Sequence, residues 1–305
     1  MRSLRLLSIL LIFTSLGYGA NFQSQLDQLS KEHHGKISFF AKNLKTGDTV
    51  AIDPDTPVQT ASVIKLPILL EAFHQIHGGQ RALQTKIVLR KEDQVFGSGI
   101  LQFLSTPHEL TFQDVLTLMV IVSDNTATNL AIDQVGLKSV NDRIAALGLK
   151  NTHLYKKVYK PSDAPMPPDQ KKFGLGKTTA REMAKVMESI VNCDVGSREL
   201  CDQMLDIMRN QQDRNMIPRY LETTDTSEQK SQIADKIGAL DKVRNDVAVV
   251  FTKAGPIVIS AFTYDNRDES WTPENEAEIL IGRMAKVVVE GWSPGGLAPS
   301  NTAAK

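Results

Sequence analysis

The chain is short of the residues that usually signal a metal site, a disulfide scaffold or a nucleic-acid partner. Its 305 residues include two Cys, six His and two Trp. Two cysteines exclude a small fold held together by several bridges. His74 and His77 stand one helical turn apart, but no third ligand accompanies them, and a catalytic zinc takes about three protein ligands. They read as exposed helix positions, so no metal and no cofactor is expected. An excess of one charge is also lacking, because 35 Lys and Arg face 35 Asp and Glu. That balance gives no basic surface for nucleic acid. A run of roughly 20 apolar residues, the length that spans a bilayer, is absent too.

The apolar run that does occur, Leu6 to Leu16, follows Arg2 and Arg5 and precedes Gly17, Gly19 and Ala20. This order is that of a secretory signal peptide over residues 1–20. The expectation is an exported protein, periplasmic or secreted, with no stable membrane insertion after cleavage. No Cys lies near the cut to carry a lipid. The remaining residues, with a net charge of about −2 once Arg2 and Arg5 are gone, suit a single domain over 21–292. A Pro, Gly and Ser-rich stretch, 293–305, reads as a disordered tail. In an exported chain the even cysteine count favours a bridge between Cys193 and Cys201, closing a loop between two helices. Buried thiols are the alternative, since sequence gives no Cα separation.

Short Val- and Ile-rich segments at 37–41, 49–52, 232–237, 246–252 and 257–263 predict strands. Helical spacing marks 22–33, 62–77, 111–123, 127–135, 140–147, 178–191, 198–208 and 274–289, with Thr111–Asp114 and Thr179–Glu182 as N-terminal caps. Strands therefore open and close the chain, and helices fill its middle. The fold class expected is α+β. An antiparallel sheet of N- and C-terminal strands with flanking helices (21–61 and 225–292) faces an all-helical lobe (62–224), and a site is expected in the cleft between them.

Three short elements carry the chemistry. Ser62 and Lys65, three apart at the start of a helix, share one face. A desolvated Lys has a lowered pKa and can take the hydroxyl proton. A second such pair, Ser227 and Lys230, sits in a polar run that would leave its Lys solvated. Alone, Ser62 reads equally well as a helix cap. Ser123-Asp124-Asn125 joins two helices, where Ser123 could relay a proton and the Asn125 amide could hold a substrate carbonyl. Lys236-Ile237-Gly238 ends a strand, where a cation and strand-edge N–H groups could support an oxyanion.

In this order the elements resemble the Ser-x-x-Lys, Ser-Asp-Asn and Lys-Thr-Gly set of class A β-lactamases and penicillin-binding proteins. The runs 96–101, 121–130 and 245–250 are similar to that family as well. The resemblance implies a β-lactamase/transpeptidase-like fold, with Ser62 as nucleophile, Lys65 as base and Ser123 as proton relay. It also implies Asn125, Lys236, Gly238, Ala239 and Arg244 as substrate contacts, with Ser62 and Ala239 lending oxyanion N–H groups. Two departures stand out. Ile237 replaces the usual hydroxyl residue, weakening recognition of a substrate carboxylate. And the loop between Leu154 and Thr178, where class A enzymes place the Glu that activates the deacylating water, contains no Glu; its acidic residues are Asp163 and Asp169. The expected activity is slow hydrolysis of a small-molecule β-lactam by a monomer. The alternatives are a D,D-peptidase or esterase acting on cell-wall peptide, and a β-lactam sensor that stays acylated.

Overall fold

The computed structural model describes residues 16–162, 165–221 and 231–299. The signal-peptide reading falls largely on residues 1–15, outside these, as do Asp163 and the Ser227–Lys230 pair. Among the described residues no helix is long and apolar enough to cross a membrane.

Helix α1 (Leu16–Glu32) leads into strands β1 (Lys36–Asn43) and β2 (Thr49–Ile52), which form the expected hairpin. The late strands are β8 (Ile233–Leu240), β9 (Val243–Thr252) and β10 (Gly255–Tyr264). All five make one antiparallel sheet, ordered β2-β1-β10-β9-β8. Both ends of the chain thus meet in one sheet, with β1 lying against β10.

The sheet is covered on both faces, and the period-two alternation of strand side chains sorts its residues. Phe39, Ala41, Ala248, Val250, Ile257 and Ile259 pack against α1 and the last helix, α9 (Glu276–Trp292). Phe40, Val247, Val249, Val258 and Phe262 face the helical lobe. The lobe's helices are α2 (Lys65–His77), α3 (Phe112–Ile121), α4 (Asn125–Val135), α5 (Leu137–Ala146), the short α6 (Gln170–Phe173), α7 (Ala180–Asn192) and α8 (Arg198–Arg209). Thr111 and Thr179 cap α3 and α7 as their spacing predicts, accepting from Asp114 N and Glu182 N.

The helical lobe also carries short strands that the sequence pattern did not reveal. β4 (Lys86–Leu89) pairs with β5 (His108–Thr111), and β7 (Gly176–Thr178) lies between β3 (Val58–Gln59) and β6 (His153–Leu154). At two to four residues they are too short for a period to show, and only their tertiary pairing defines them.

Two further features differ from expectation or settle an open alternative. Residues 293–299, read as the start of a tail, return along the sheet. Leu297 bridges Thr252, and Ala298 N donates to Phe251 O at 2.9 Å. Their free backbone groups find partners at the β9–β10 end, which composition does not report. Cys193 and Cys201 form a disulfide with Cα atoms 5.5 Å apart, tying the end of α7 to α8.

Candidate active site

Ser62 lies in a 3₁₀ turn, Ala61–Ile64, that immediately precedes α2. With about three residues per 3₁₀ turn, positions i and i+3 eclipse, so Lys65 comes up under Ser62. The turn is entered through Ala61 at φ 45°, a conformation costing on the order of 1–3 kcal/mol for a residue with a Cβ. Two contacts hold it there. Asn245 Nδ2 of β9 donates to Gln59 O (2.9 Å) and Thr60 O (3.2 Å). Gly238 of β8 packs against the turn so closely that a Cβ on it would fall 2.8 Å from both Ser62 N and Thr60 O. The sequence suggests Gly238 as room for substrate; the structure shows it as room for the nucleophile's own backbone. Pro67 falls in the first turn of α2, where no intrahelical acceptor awaits its missing N–H.

Lys65 is fully buried. Its Nζ lies 2.7 Å from Ser123 O, 3.0 Å from Ser123 Oγ and 3.3 Å from Asn125 Oδ1. The Ser62 hydroxyl makes no hydrogen bond to it in this state. Burial, reinforced by the nearby Lys236 charge, pushes the Lys65 amine well below the usual lysine range. Lys236 is buried too, and its Nζ donates to Ser123 Oγ (3.2 Å) and Ile237 O (3.0 Å). Desolvation lowers it to about 8, against the opposing pull of Asp235, Asp246 and Asp213. Ser123 Oγ therefore bridges two amines. It can do so because Ser123 adopts φ 54° between α3 and α4, which turns its carbonyl and its hydroxyl toward the same lysine.

The middle residue of the Ser-Asp-Asn element has a structural task. Asp124 caps α4 by accepting from Ala127 N (2.8 Å), and its other oxygen takes Ile100 N (2.7 Å) and Leu101 N (2.8 Å). Asn125 N donates to Ser98 O at 3.0 Å and Asn125 Nδ2 to Phe96 O at 3.1 Å. The 96–101 loop is thereby pinned onto the site. Phe96 stacks on Tyr159 with centroids 4.8 Å apart, and both rings are exposed beside the Asn125 amide.

One turn further along α4, buried Asn129 clamps the 155–178 loop. Its Nδ2 donates to Val158 O (2.9 Å) and its Oδ1 accepts from Val158 N (2.8 Å). Since Asn125 and Asn129 share a helix face, the loop residue held nearest the Lys65–Asn125 contact is an apolar one, Val158. Asp169 is turned elsewhere, to Lys177 Nζ at 2.6 Å. The sequence singled out neither Asn129 nor Val158; the spacing from Asn125 to Asn129 was the available signal.

Ser62, Ser98, Ser123, Gly238 and Ala239 line one cleft of about 530 Å³, continuing past Asp213 and Asn215 to Trp271 and Glu278. Of the residues that sequence assigned to the site, Arg244 is not brought to it. Arg244 is fully buried on β9, paired in register with Ala239, with Nε on Glu278 Oε1 (3.0 Å). Its remaining nitrogens donate to the carbonyls of Leu240, Val243 and Ser270. The strand turn after Ala239 directs this guanidinium under Trp271, an arrangement the residue's offset in sequence did not fix.

The profile of the β-lactamase enzyme family matches residues 21–292. The chain belongs to that family. Among solved family members, the β-lactamase from Sphaerobacter thermophilus is 30% identical, with 89% of this chain and 96% of that one covered and a TM-score of 0.77. The penicillin-binding protein PBP-A is 26% identical over 88% of this chain and 95% of its own, with a TM-score of 0.74. The β-lactamase regulatory protein BlaB of Streptomyces cacaoi is 28% identical over 150 residues, 48% of each chain. The chain thus spans about half the length of that curated relative. Family membership carries the β-lactamase fold and a hydrolase-type site at the family level.

Proposed function

We propose that this family member opens the β-lactam amide through an acyl-enzyme on Ser62 and releases the acyl group slowly. In the first step the Ser62 proton passes to the neutral amine of Lys65 as Oγ bonds to the carbonyl carbon. The oxyanion then forms against the N–H groups of Ser62 and Ala239. Ala239 sits on the sheet's edge strand, where alternate N–H groups have no partner strand to bond. Lys65 returns its proton through Ser123 Oγ to the leaving nitrogen as the C–N bond breaks, and the charge on Lys236 supports that relay. Asn125 and the 96–101 loop flank the acyl side. Arg244 acts from behind, positioning β9 and α9 rather than touching substrate.

The observation that carries this reading is the Lys65–Ser123–Lys236 chain, two buried amines sharing one hydroxyl. Slow release is supported by Val158 in the clamped loop position, which offers a water no base. A penicillin-binding peptidase or sensor role is the second reading, favoured by that same residue. In line with it, a PBP-A variant 25% identical to this chain is known as its acyl-enzyme with penicillin G, and BlaB is regulatory by name. Export through residues 1–20 and action as a monomer complete the proposal.

Intact-mass spectrometry after mixing with a penicillin tests it. A Ser62-dependent adduct that persists for minutes to hours is the expected result, absent in Ser62→Ala. An adduct surviving in Ser62→Ala, or none on the wild type, rejects the mechanism.

A further inference from the structure

Resting on the acyl-enzyme reading, the geometry also says what kind of leaving group the cleft receives. Ser123 protonates the departing atom, so the leaving half of the substrate lies beyond Ser123. There the cleft runs past Gln212, Asp213 and Asn215 to Trp271 and Glu278. A carboxylate placed there needs a free cation or hydroxyl to meet it. Ile237 offers neither. Arg244 is enclosed, its donors taken by Glu278 and three carbonyls and its face covered by the Trp271 ring at 4.5 Å. The Lys236 ammonium is engaged with Ser123 Oγ and Ile237 O, and does not line the cleft.

The charged side chains that do line it are two carboxylates, Asp213 and Glu278. Asp213 uses Oδ1 to accept from Asn215 N at 3.0 Å, and Glu278 uses Oε1 for Arg244. Their second oxygens have no partner among the described residues. Glu278 is 8% exposed, so its open oxygen is poorly hydrated, and the 65% exposed ring of Trp271 stands beside it. Carboxylates next to an aromatic ring are the elements that receive an ammonium group.

We infer that the leaving-group end of this cleft selects substrates bearing an ammonium group there and disfavours those bearing a free carboxylate. In this respect the chain differs from an enzyme built to bind the carboxylate of a penicillin, and an amine-bearing acyl donor is its better substrate.

Three acyclic thioesters with one acyl group and different thiols provide the test: thiocholine, its uncharged isostere 3,3-dimethylbutanethiol, and 3-mercaptopropionate. Attack by Ser62 forms the new ester and expels the thiol, which is measured directly. The expected order of kcat/KM for thiol release is thiocholine, then the neutral ester, then the carboxylate. Each step is on the order of fivefold, the scale of one partly solvated charge pair. Raising the salt should compress the series, and Asp213→Asn should narrow the thiocholine advantage over the neutral ester. A carboxylate ester reacting as fast as the thiocholine ester, or a ratio unmoved by both salt and Asp213→Asn, overturns the inference. Failure of all three esters to label Ser62 instead removes the acyl-enzyme reading, and this inference with it.

Discussion

Two lysines at this site have lost the usual freedom of lysine, and the consequences are measurable. Lys65 is buried as a base and Lys236 as a cation, with Ser123 between them. Lys236 is lowered to about 8 by burial. Acylation should therefore decline as pH rises through about 8, when the charge behind Ser123 is lost. The fold does not share that fate through this group. Between the lowered value near 8 and the ordinary 10.5, the unfolded chain holds a proton that the folded chain has released, so this term adds stability with rising pH. A pH–rate profile for adduct formation beside a thermal melt at each pH separates the two effects. An alkaline limb absent from the rate, or one that tracks unfolding, would be inconsistent with Lys236 as the charge that matters. Lys65→Met should abolish the adduct without a matching loss of stability, because a methionine fills the buried space without an amine to desolvate. Gly238→Ala is predicted to lower both, since its Cβ meets the Ser62 and Thr60 backbone at 2.8 Å. Overpacking of this kind costs about 1–3 kcal/mol, read as a lower Tm together with slower acylation.

At the scale of elements, the site depends on segments locked to one another by a few buried polar groups. Asp124 couples the start of α4 to the 96–101 loop, Asn245 couples β9 to the turn carrying Ser62, and Asn129 couples α4 to the 155–178 loop. The Asn129 clamp decides which loop residue stands near Lys65. Val158→Glu should therefore place a carboxylate beside the Lys65–Asn125 contact and shorten the lifetime of a penicillin adduct. Mass spectrometry over time is the check, and an adduct of unchanged lifetime would show that the loop does not supply the deacylating base position. The three motifs were legible in sequence because each is local: a helical i,i+3 pair, an interhelical tripeptide and a strand end. The clamps were not, because Asn245 and Asn129 act on residues 185 and 29 positions away, and no local pattern reports such partners.

For the whole molecule, one sheet made from both chain ends carries α1 and α9 on one face and the helical lobe on the other. The lobe's outer helices α7 and α8 are joined by Cys193–Cys201 across eight positions. Closing so short a loop is worth about 2–3 kcal/mol in the chain-entropy account. Reduction should lower Tm by roughly 5–10 °C for a chain of this size and leave the adduct intact, since neither cysteine lines the cleft. Loss of acylation on reduction would instead mean that the lobe positions Ser123 through that bridge.

The amino-acid order by itself determined the alternation of elements, the helix caps at Thr111 and Thr179, the candidate nucleophile and its lysine, and the missing loop glutamate. These follow from periodicity, spacing and side-chain chemistry, which act over a few residues. Only the tertiary structure decided that Arg244 is walled in, that Gly238 serves the Ser62 turn, that Val158 holds the loop position and that Asp213 and Glu278 face the leaving group. Those outcomes depend on which side chains are desolvated together, and desolvation is a property of packed surfaces that no single segment of the chain possesses.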